Sequence, residues 1–525
     1  MRRHDARCFA DREQSFTIER VADFIRSVHL VGERPRDLLP STFPCTANRS
    51  MEFSLRGICP KNLRIRICAV DDNLSLMLSS LRIETLIFAA IWNIYKKMAR
   101  VCVIGAGAAG LCAGRHLLAE PSVGRVDILE QTSQLGGTWV YTESTGYNDF
   151  GLPIHTSMYK NLRTNLPKEI MGFPDFPVPE SEQSYLPANE ILAFLQSYAD
   201  KYDVTSHIKF NHYVQLVIPK AGGPRGELWD VTFKSLVTGE PETREYDFVF
   251  VCNGHYNTPS IPSIPGLEEF QGEVIHSHDY RLPEIFADKR VLVVGAGPSG
   301  MDIALEITAV TSKVILSHHH KKQFPQTMFP EQKPDVIKIK EKTAYFEDGS
   351  EEEVDVILLC TGYQYNFPFL HQSSGIVVDD NCVEPLYKHL VNIHHPTMCF
   401  IGIPNYVCAF PMFDLQVRYF VRWISGAFSL PTEAQMQAHW EQEKAERAVR
   451  GYTRRQSHFI GPDQEKYFAS LSAEAGTKTL PSVLTKIMLK SLCFQNLTNH
   501  CTNYRQNIYK IINDDTYEIL SNGKQ

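Results

Sequence analysis

The sequence of 525 residues has few features that would place it among metal-binding, disulfide-exchanging or membrane-spanning proteins. None of its 13 cysteines forms a C-x-x-C pair, which argues against a zinc knuckle or a dithiol redox centre, and the odd count is typical of reduced thiols. No stretch has the roughly 18 consecutive apolar residues that a spanning helix needs. The net charge of −7 gives no reason to expect nucleic acid or an anionic membrane as a partner.

The first 97 residues differ from the rest. They are rich in Arg and Ser and show no sustained apolar periodicity, so we expect a poorly ordered N-terminal extension over 1–97. Its apolar patch LIFAAIWNIYKK (86–97) is too short to cross a bilayer but can lie on a membrane surface. Because a nucleotide-binding pattern begins directly afterwards, Met98 is the favoured functional start, and a regulatory tail is the competing interpretation.

Two glycine-rich turns each follow an apolar strand and precede a helix. GAGAAG (105–110) follows VCVIG, and a helix then leads to the strand RVDILE (125–130). GAGPSG (295–300) follows RVLVVG, and a helix leads to KVILS (313–317). Continuous β-branched runs are typical of strands buried on both faces. The repeat predicts an α/β fold with two dinucleotide-binding, Rossmann-like domains.

The first turn is predicted to bind FAD. Its three glycines permit a tight turn, close approach of a pyrophosphate and close helix packing, while Glu130 ends the next strand, where it can accept ribose hydroxyl protons. The following QLGGTWVY (134–141) resembles the loop of FAD enzymes with two dinucleotide sites, with an ordinary surface turn as the alternative. The predicted contacts here are Gly105, Gly107, Ala108, Gly110, Glu130, Gly137, Thr138 and Trp139.

The second turn is predicted to bind NADP. KVILS continues into HHHKK (318–322), where an NAD site would hold a carboxylate that repels the 2′-phosphate. Three adjacent histidines also suggest a metal, but neighbours in an extended segment point to opposite faces, so no metal site is predicted. The predicted contacts are Gly295, Gly297, Ser299, Gly300, Asp302, Ser317, His319 and Lys321.

Between the turns, FQGEVIHSHDY (270–280) resembles the identifying sequence of class B flavin-containing monooxygenases, F-x-G-x-x-x-H-S-x-x-Y. The resemblance covers about 98–430. It implies that NADPH reduces FAD, that the flavin holds O2 as a 4a-hydroperoxide, and that a soft nitrogen or sulfur nucleophile of a small molecule, such as a xenobiotic, is oxygenated. Tyr280 followed by Arg281 favours this N- and S-oxygenation over a Baeyer-Villiger reaction. An NADPH oxidase that releases hydrogen peroxide, a Baeyer-Villiger-type monooxygenase and a catalytically dead NADP sensor stay as alternatives.

The same resemblance implies that the NADP domain is inserted into the FAD domain. CNGHYNTPSIPSIPG (252–266) and CTGYQYNFPFL (360–370) match the loops where the chain leaves and re-enters the FAD domain. The motif at 270–280 would be the hinge, with Gly272 allowing close backbone approach and His276 and Tyr280 fixing the orientation by hydrogen bonds. The predicted boundaries are 98–255 for the first segment of the FAD domain, 256–358 for the NADP domain, 359–475 for the second segment of the FAD domain and 476–525 for a C-terminal tail.

Two further segments resemble family elements at the flavin. In LRTNLPKEIMGFPDFPVP (162–179), Asn165 matches the catalytic asparagine that contacts both FAD and NADP, with Thr164 beside it on NADP, and a turn-forming Asn is the alternative. Lys168 is expected to be a solvated charge or a structural pair. The segment FDLQVRYFVRWISGAFSLP (413–431) resembles the helix by which the family's chain returns to the flavin. In this helix, Gln416 is expected to pack on FAD, and Asp414 stands where relatives have Glu.

The expected partners follow from this interpretation. They are FAD, NADPH, molecular oxygen and a small nucleophilic substrate, with at most weak membrane association, no nucleic acid, and a homo-oligomer left open. The polar ending NDDTYEILSNGKQ favours a cytoplasmic location, with a peripheral position at the endoplasmic reticulum membrane as the alternative.

Overall fold

A computed structural model of the chain describes residues 50–54, 64–68, 98–320, 323–329, 331–492 and 503–521. The chain divides into two compact units, Met1–Thr85 and Leu86–Gln525. In the first unit, the strands Ser50–Ser54 and Arg64–Cys68 pair antiparallel. The apolar patch at 86–97 and the remainder of the predicted extension lie outside the described residues, so their order stays a prediction.

The described residues of the second unit contain seven α-helices. Two begin at the glycine turns, with Gly107 and Gly297 as N-cap residues. Within the described residues, none of the helices combines the length and the apolar character needed to cross a membrane. The helices are α1 Ala108–Leu118, α2 Ala188–Lys201, α3 Pro298–Ile307, α4 Ala409–Ile424, α5 Glu433–Val449, α6 Gln464–Ala475 and α7 Ser482–Ser491.

The first sheet has seven strands and is built around Ala99–Ile104. Alternate side chains of this strand enter different cores: Val101 and Val103 pack with the helices, whereas Cys102 and Ile104 pack with the antiparallel strands on the other face. Burial on both faces explains its continuous apolar sequence. The strand order is Leu386–Tyr387, Val391–Asn392, Met398–Phe400, Phe248–Val251, Ala99–Ile104, Val123–Leu129 and Ile208–Lys209.

The second sheet has five parallel strands, all from residues 273 to 359. The first sheet takes strands from before and after this stretch, so one Rossmann-like domain is inserted into the other, as predicted. The domain boundaries themselves stay predictions. The strand order is Glu273–His276, Val356–Leu359, Arg290–Val294, Lys313–Ser317 and Glu331–Lys333.

Smaller antiparallel sheets complete the described fold. The largest, a three-stranded meander over 212–246, covers the face of the first sheet that carries Cys102 and Ile104. The smaller sheets are made of His212–Ala221, Glu227–Ser235 and Pro241–Tyr246; Val336–Lys340, Thr343–Phe346 and Glu351–Glu353; Thr258–Pro259 and Tyr363–Gln364; Val377–Asp379 and Cys382–Glu384; and Asn507–Ile511 and Tyr517–Ser521.

Each of the two Rossmann-like sheets has its own arginine–aspartate pair at the amino ends of two adjacent strands. Asp247 accepts hydrogen bonds from the backbone N–H of Arg100 at 2.8 Å and from its guanidinium at 3.0 and 3.1 Å. Asp355 does the same for Arg290, at 3.0 Å for the backbone and 2.9 and 2.8 Å for the guanidinium. Each pair joins two adjacent parallel strands, so it fixes their relative register.

Candidate functional site

The two predicted phosphate-binding turns have nearly the same backbone geometry. Gly105 has φ +102° and Gly295 has φ +101°, in the region that favours glycine. A Cβ on Gly105 would lie 2.6 Å from the carbonyl oxygen of Cys252, and a Cβ on Gly295 would lie 2.6 Å from that of Cys360. Side chains are therefore excluded at both positions by backbone contact.

The helices that follow are equally close to their turns. A Cβ on Gly110 would overlap the carbonyl oxygen of Gly105, and one on Gly300 would overlap that of Gly295. By contrast, a Cβ on Gly297 would meet nothing within 4 Å. The first N–H groups of α1 and α3 have no partner within their own helix, so both turns can bind an anionic pyrophosphate.

Glu130 lies at the first turn, as predicted. Its carboxylate accepts hydrogen bonds from the backbone N–H of Ala106 at 2.8 Å and from the backbone N–H and hydroxyl of Thr132, each at 2.8 Å. The side chain is buried. These bonds hold an acid at the end of the second strand, where ribose hydroxyls can reach it.

The Gly-Gly-Thr-Trp loop also lies against the first turn. The N–H of Gly136 donates to the carbonyl of Ala106 at 3.0 Å, and a Cβ on Gly137 would lie 2.9 Å from the Cα of Gly107. The carbonyl of Thr138 accepts the Thr156 hydroxyl at 2.9 Å. Trp139 packs edge-on against Phe410 of α4, and Ala108 is buried in the first turn of α1. The predicted FAD residues of this region therefore converge, while their contacts with flavin stay a prediction.

Around the second turn, the predicted NADP residues have different environments. Ser317 is buried and its hydroxyl donates to the carbonyl of Pro334 at 2.8 Å, so this proton is already used. His318 is buried beside Gln332, with 3.3 Å between Nε2 and Oε1. His319 is 78% exposed, with Nδ1 3.8 Å from a carboxylate oxygen of Asp335. Lys321 lies outside the described residues. Of Ser317 and His319, the exposed imidazole is the group better placed to meet a 2′-phosphate.

Asp302 and Ser299 lie on α3, directly after the second turn. Ser299 is half-buried. The carboxylate of Asp302 accepts the Tyr159 hydroxyl and a guanidinium N–H of Arg505. Burial and the neighbouring Asp302 raise the pKa of Tyr159 well above its usual range, so the phenol stays protonated and donates. Both Asp302 contacts were missed by sequence reasoning.

The motif at 270–280 contains the edge strand Glu273–His276 of the second sheet, while its role as a hinge stays a prediction. A Cβ on Gly272 would overlap the carbonyl oxygen of Asp355, which confirms the predicted close approach. The Tyr280 hydroxyl donates to Glu306 of α3 at 2.8 Å. His276 Nδ1 accepts the N–H of His278 at 3.0 Å, which shapes the local turn.

Arg281 supplies the hydrogen bonds to the first domain that were expected from His276 and Tyr280, whose own bonds stay within the second domain. It is 4% exposed, and its guanidinium donates to the carbonyls of Ser144 at 3.1 Å and Thr156 at 3.2 Å. A second guanidinium nitrogen donates to the carbonyls of His278 and Tyr280. No signal in the sequence indicates this role beyond the position directly after the motif.

Asn165 lies at an exposed position on a loop fixed at both sides. On one side, the buried Thr164 hydroxyl accepts the N–H of Leu186 at 3.1 Å. On the other, buried Lys168 pairs with Glu169 at 2.6 Å, so Lys168 is the structural pair that was one of its two expected roles. The loop can present an amide without rearrangement, while the contact of Asn165 with cofactors stays a prediction.

Gln416 of α4 is fully buried and both ends of its amide have protein partners. Its oxygen accepts the N–H of Gly402 at 2.9 Å and its nitrogen donates to the Tyr467 hydroxyl at 2.7 Å. These bonds join α4 to Gly402 and to Tyr467 of α6. A packing contact between Gln416 and FAD stays a prediction.

Asp414 belongs to the one group of possible metal ligands among the described residues, with Cys112 and His116. His116 Nε2 is 2.7 Å from one oxygen of Asp414, and Arg418 Nε donates to the other at 2.6 Å. An adjacent guanidinium opposes a bound cation, and the hydrogen bonds already use the carboxylate. The group is better described as a junction between α1 and α4 than as a metal site.

Together, these features place the protein in the class with two Rossmann-like domains in one chain. Each sheet has a glycine turn at the carboxyl ends of its strands. Residues 98–324 and 327–511 match the family described as flavin-binding monooxygenase-like. The chain belongs to this flavin-binding monooxygenase family. It is therefore an oxidoreductase that uses a flavin cofactor and molecular oxygen as co-substrate.

Relatives with printed activities include both nitrogen and sulfur oxygenases. Senecionine N-oxygenase of Tyria jacobaeae is 36% identical over 433 residues, which cover 81% of this chain and 93% of the relative. Flavin-containing monooxygenase FMO GS-OX5 of Arabidopsis thaliana is 35% identical over 396 residues, covering 72% and 84%. The solved structure of S-allyl-L-cysteine S-oxygenase from Allium sativum superposes with a TM-score of 0.71 at 32% identity, covering 78% of this chain and 95% of the other.

Proposed function

We propose that this protein is an NADPH-dependent flavin monooxygenase that oxygenates soft nitrogen or sulfur atoms of small molecules. The observation that carries the proposal is the matched pair of glycine turns, of which one is joined to an acid and the other to a basic segment. The acid suits the ribose of FAD, and the basic segment suits the phosphate of NADP. The N- and S-oxygenases among the relatives support the substrate class.

The protein's role in this chemistry is to bind, orient and exclude water. The flavin, when bound, would supply the redox chemistry and the activation of O2, with NADPH as the reductant. The glycine turns would hold the two pyrophosphates, Glu130 the FAD ribose, and His319 with Lys321 the 2′-phosphate. Asn165 would donate its amide N–H to the reacting oxygen or to the nicotinamide. No proton-abstracting group is required, because the substrate atom is itself the nucleophile.

An assay of NADPH consumption in air tests the proposal. We expect purified, FAD-loaded protein to oxidise NADPH and to convert a tertiary amine to its N-oxide or a thioether to its S-oxide. Hydrogen peroxide without oxygenated product would instead indicate an oxidase. Ester formation from a cyclic ketone would indicate Baeyer-Villiger chemistry, and no NADPH loss would indicate a binding protein.

Asn165→Ala tests the catalytic assignment. We expect the rate of product formation to fall by about 100- to 1,000-fold, as when a donor to a developing oxyanion is removed, with bound FAD unchanged. Peroxide release should account for the NADPH still consumed. The measurement is the ratio of oxygenated product to NADPH oxidised.

Asn189→Ala makes the same chemical change at an exposed position of α2 and provides the matched control. It should keep the wild-type ratio. A wild-type ratio in Asn165→Ala would show that Asn165 is only a turn residue.

A further inference from the structure

The C-terminal segment, defined as residues 503–521, packs on the end of the loop that contains Asn165. Tyr504 and Tyr509 are both buried and lie edge-on to Tyr185, with ring centroids 5.6 and 6.4 Å apart. The N–H of Tyr509 donates to the hydroxyl of Ser184 at 3.0 Å. That hydroxyl in turn donates to Glu169, on the same loop as Asn165. The C-terminal segment is therefore connected to the Asn165 loop through buried polar and aromatic contacts.

The same segment also contacts the helix that follows the second glycine turn. Arg505 NH1 lies 2.5 Å from one carboxylate oxygen of Asp302, and the Tyr159 hydroxyl donates to the other. The ion pair is mostly buried, with 28% of the Arg505 side chain and 18% of the Asp302 side chain exposed. Because Asp302 lies two positions after Gly300, these contacts hold the first turns of α3 in place.

One helical turn further, Glu306 makes a parallel set of contacts. It accepts the Tyr280 hydroxyl at 2.8 Å and the side-chain N–H of Asn161 at 2.6 Å. The acidic face of α3 is thus bound by Tyr159 and Asn161 of the first domain, by Tyr280, and by Arg505 from the C-terminal segment. Arg505 is the member of this set that belongs to the C-terminal segment, whose Tyr504 and Tyr509 pack against Tyr185.

We propose that Arg505 is a positioning residue for oxygen transfer, because it ties the second glycine turn to the loop that bears Asn165. This inference rests on the proposed function, in which NADP binds at the second turn and Asn165 faces the reacting oxygen. Loss of the ion pair would let α3 shift relative to Asn165. Displacements of about 1 Å in a reacting geometry can cost as much as 100-fold in rate, whereas each cofactor would still have its own turn.

The test compares Arg505→Ala with wild type and with Arg505→Lys. We expect the product-to-NADPH ratio to fall by roughly tenfold in Arg505→Ala, with FAD content unchanged. Arg505→Lys, which keeps the charge, should recover some of the lost ratio. Arg450→Ala is the control, since it removes another partly exposed arginine–aspartate pair, Arg450 with Asp463 at 2.7 Å, far along the chain from α3.

A double-mutant cycle with Asp302→Asn separates positioning from direct NADP binding. If the two residues act as one pair, the double variant should be no worse than Arg505→Ala, since contacting residues have non-additive effects. Additive losses would show that Asp302 binds the coenzyme independently and would overturn the inference.

Hydrogen exchange of the cofactor-free protein gives a readout independent of turnover. The exchange rate of the Tyr509 amide should rise in Arg505→Ala and should equal that of wild type in Arg450→Ala. Faster exchange with a wild-type product ratio would make Arg505 merely structural and would also overturn the inference. Failure of the wild type to oxygenate any substrate would instead reject the proposed function, with the exchange result still valid for the contact.

Discussion

At the scale of single residues, two residues close together at the end of one strand can differ in burial and in hydrogen bonding. Ser317, at the end of the strand Lys313–Ser317, has its hydroxyl proton bound by a backbone carbonyl, whereas His319, two positions later, is mostly exposed. The sequence predicted both as phosphate contacts because position in the motif is visible and side-chain burial is not. The same limit applies to Asp302, whose protein partners come from residues 143 and 203 positions away.

Coenzyme preference follows from this difference. We expect His319→Ala and Lys321→Ala each to lower kcat/KM for NADPH by about tenfold, the effect of one hydrogen bond to a charged group, with little change for NADH. Ser317→Ala should leave the ratio of the two coenzymes unchanged. Steady-state kinetics with both coenzymes makes the comparison. A change of preference in Ser317→Ala alone would reverse our assignment.

At the scale of secondary-structure elements, the sequence predicted those whose signal is local. The strand KVILS has the predicted bounds, and α5 begins with a capping box formed by Thr432 and Gln435, which are close in sequence. The C-terminal hairpin was not predicted. Its strands, NIYKI and YEILS, mix apolar and polar residues without strict alternation, and Tyr509 contacts the distant Tyr185 and Ser184.

The arginine–aspartate pairs were likewise invisible in sequence, and their loss should affect stability. We expect Asp247→Ala to lower the free energy of unfolding by about 2–3 kcal/mol, since it leaves a backbone N–H and a guanidinium without their acceptor. Asp355→Ala should cost less, because the Asp355 side chain is 30% exposed and that of Asp247 only 7%.

Thermal melting of the two variants beside wild type measures this order. Asp463→Ala, which removes a surface pair with Arg450, should melt within a degree or so of wild type, since exposed pairs contribute little. Equal melting of Asp247→Ala and wild type would show that the pair does not hold the strands together.

At the scale of the whole molecule, the inserted arrangement of the two domains could be predicted, but their junction could not. The insertion follows from two repeated motifs and from loops that resemble a known family. The junction depends on Arg281, whose four backbone acceptors include carbonyls of residues 144 and 156. Every residue has a backbone carbonyl, so the amino-acid sequence does not indicate which carbonyls accept these hydrogen bonds. Such contacts are visible only in the structure.

Two buried histidines give the protein a predicted sensitivity to acid. Burial, with a smaller effect from His278, lowers the pKa of His276 to about 4, and the nearby Asp279 only partly opposes this. Burial also lowers the pKa of His458, which contacts His389. Both take up protons more readily in the unfolded state. The folded protein therefore loses stability as the pH falls below about 6.5, and the loss that His276 causes is complete near pH 4.

We expect the melting temperature to drop between pH 7 and pH 5, with His276 contributing on the order of 2–3 kcal/mol across its full window. His276→Asn can keep the acceptor for the His278 N–H without a titrating ring. Its melting temperature should change less with pH than that of wild type. An identical pH profile would mean that His276 titrates normally in the folded protein.

The open space beside Gly297 has a practical consequence. At positions 105, 110, 295 and 300, a methyl group collides with backbone atoms of the protein. Substitution there would therefore lower folding stability and ligand binding together. At 297 the methyl group meets no protein atom within 4 Å, so it would collide only with a ligand bound at this turn. We therefore expect Gly297→Ala to weaken NADP binding at the second turn without destabilising the fold.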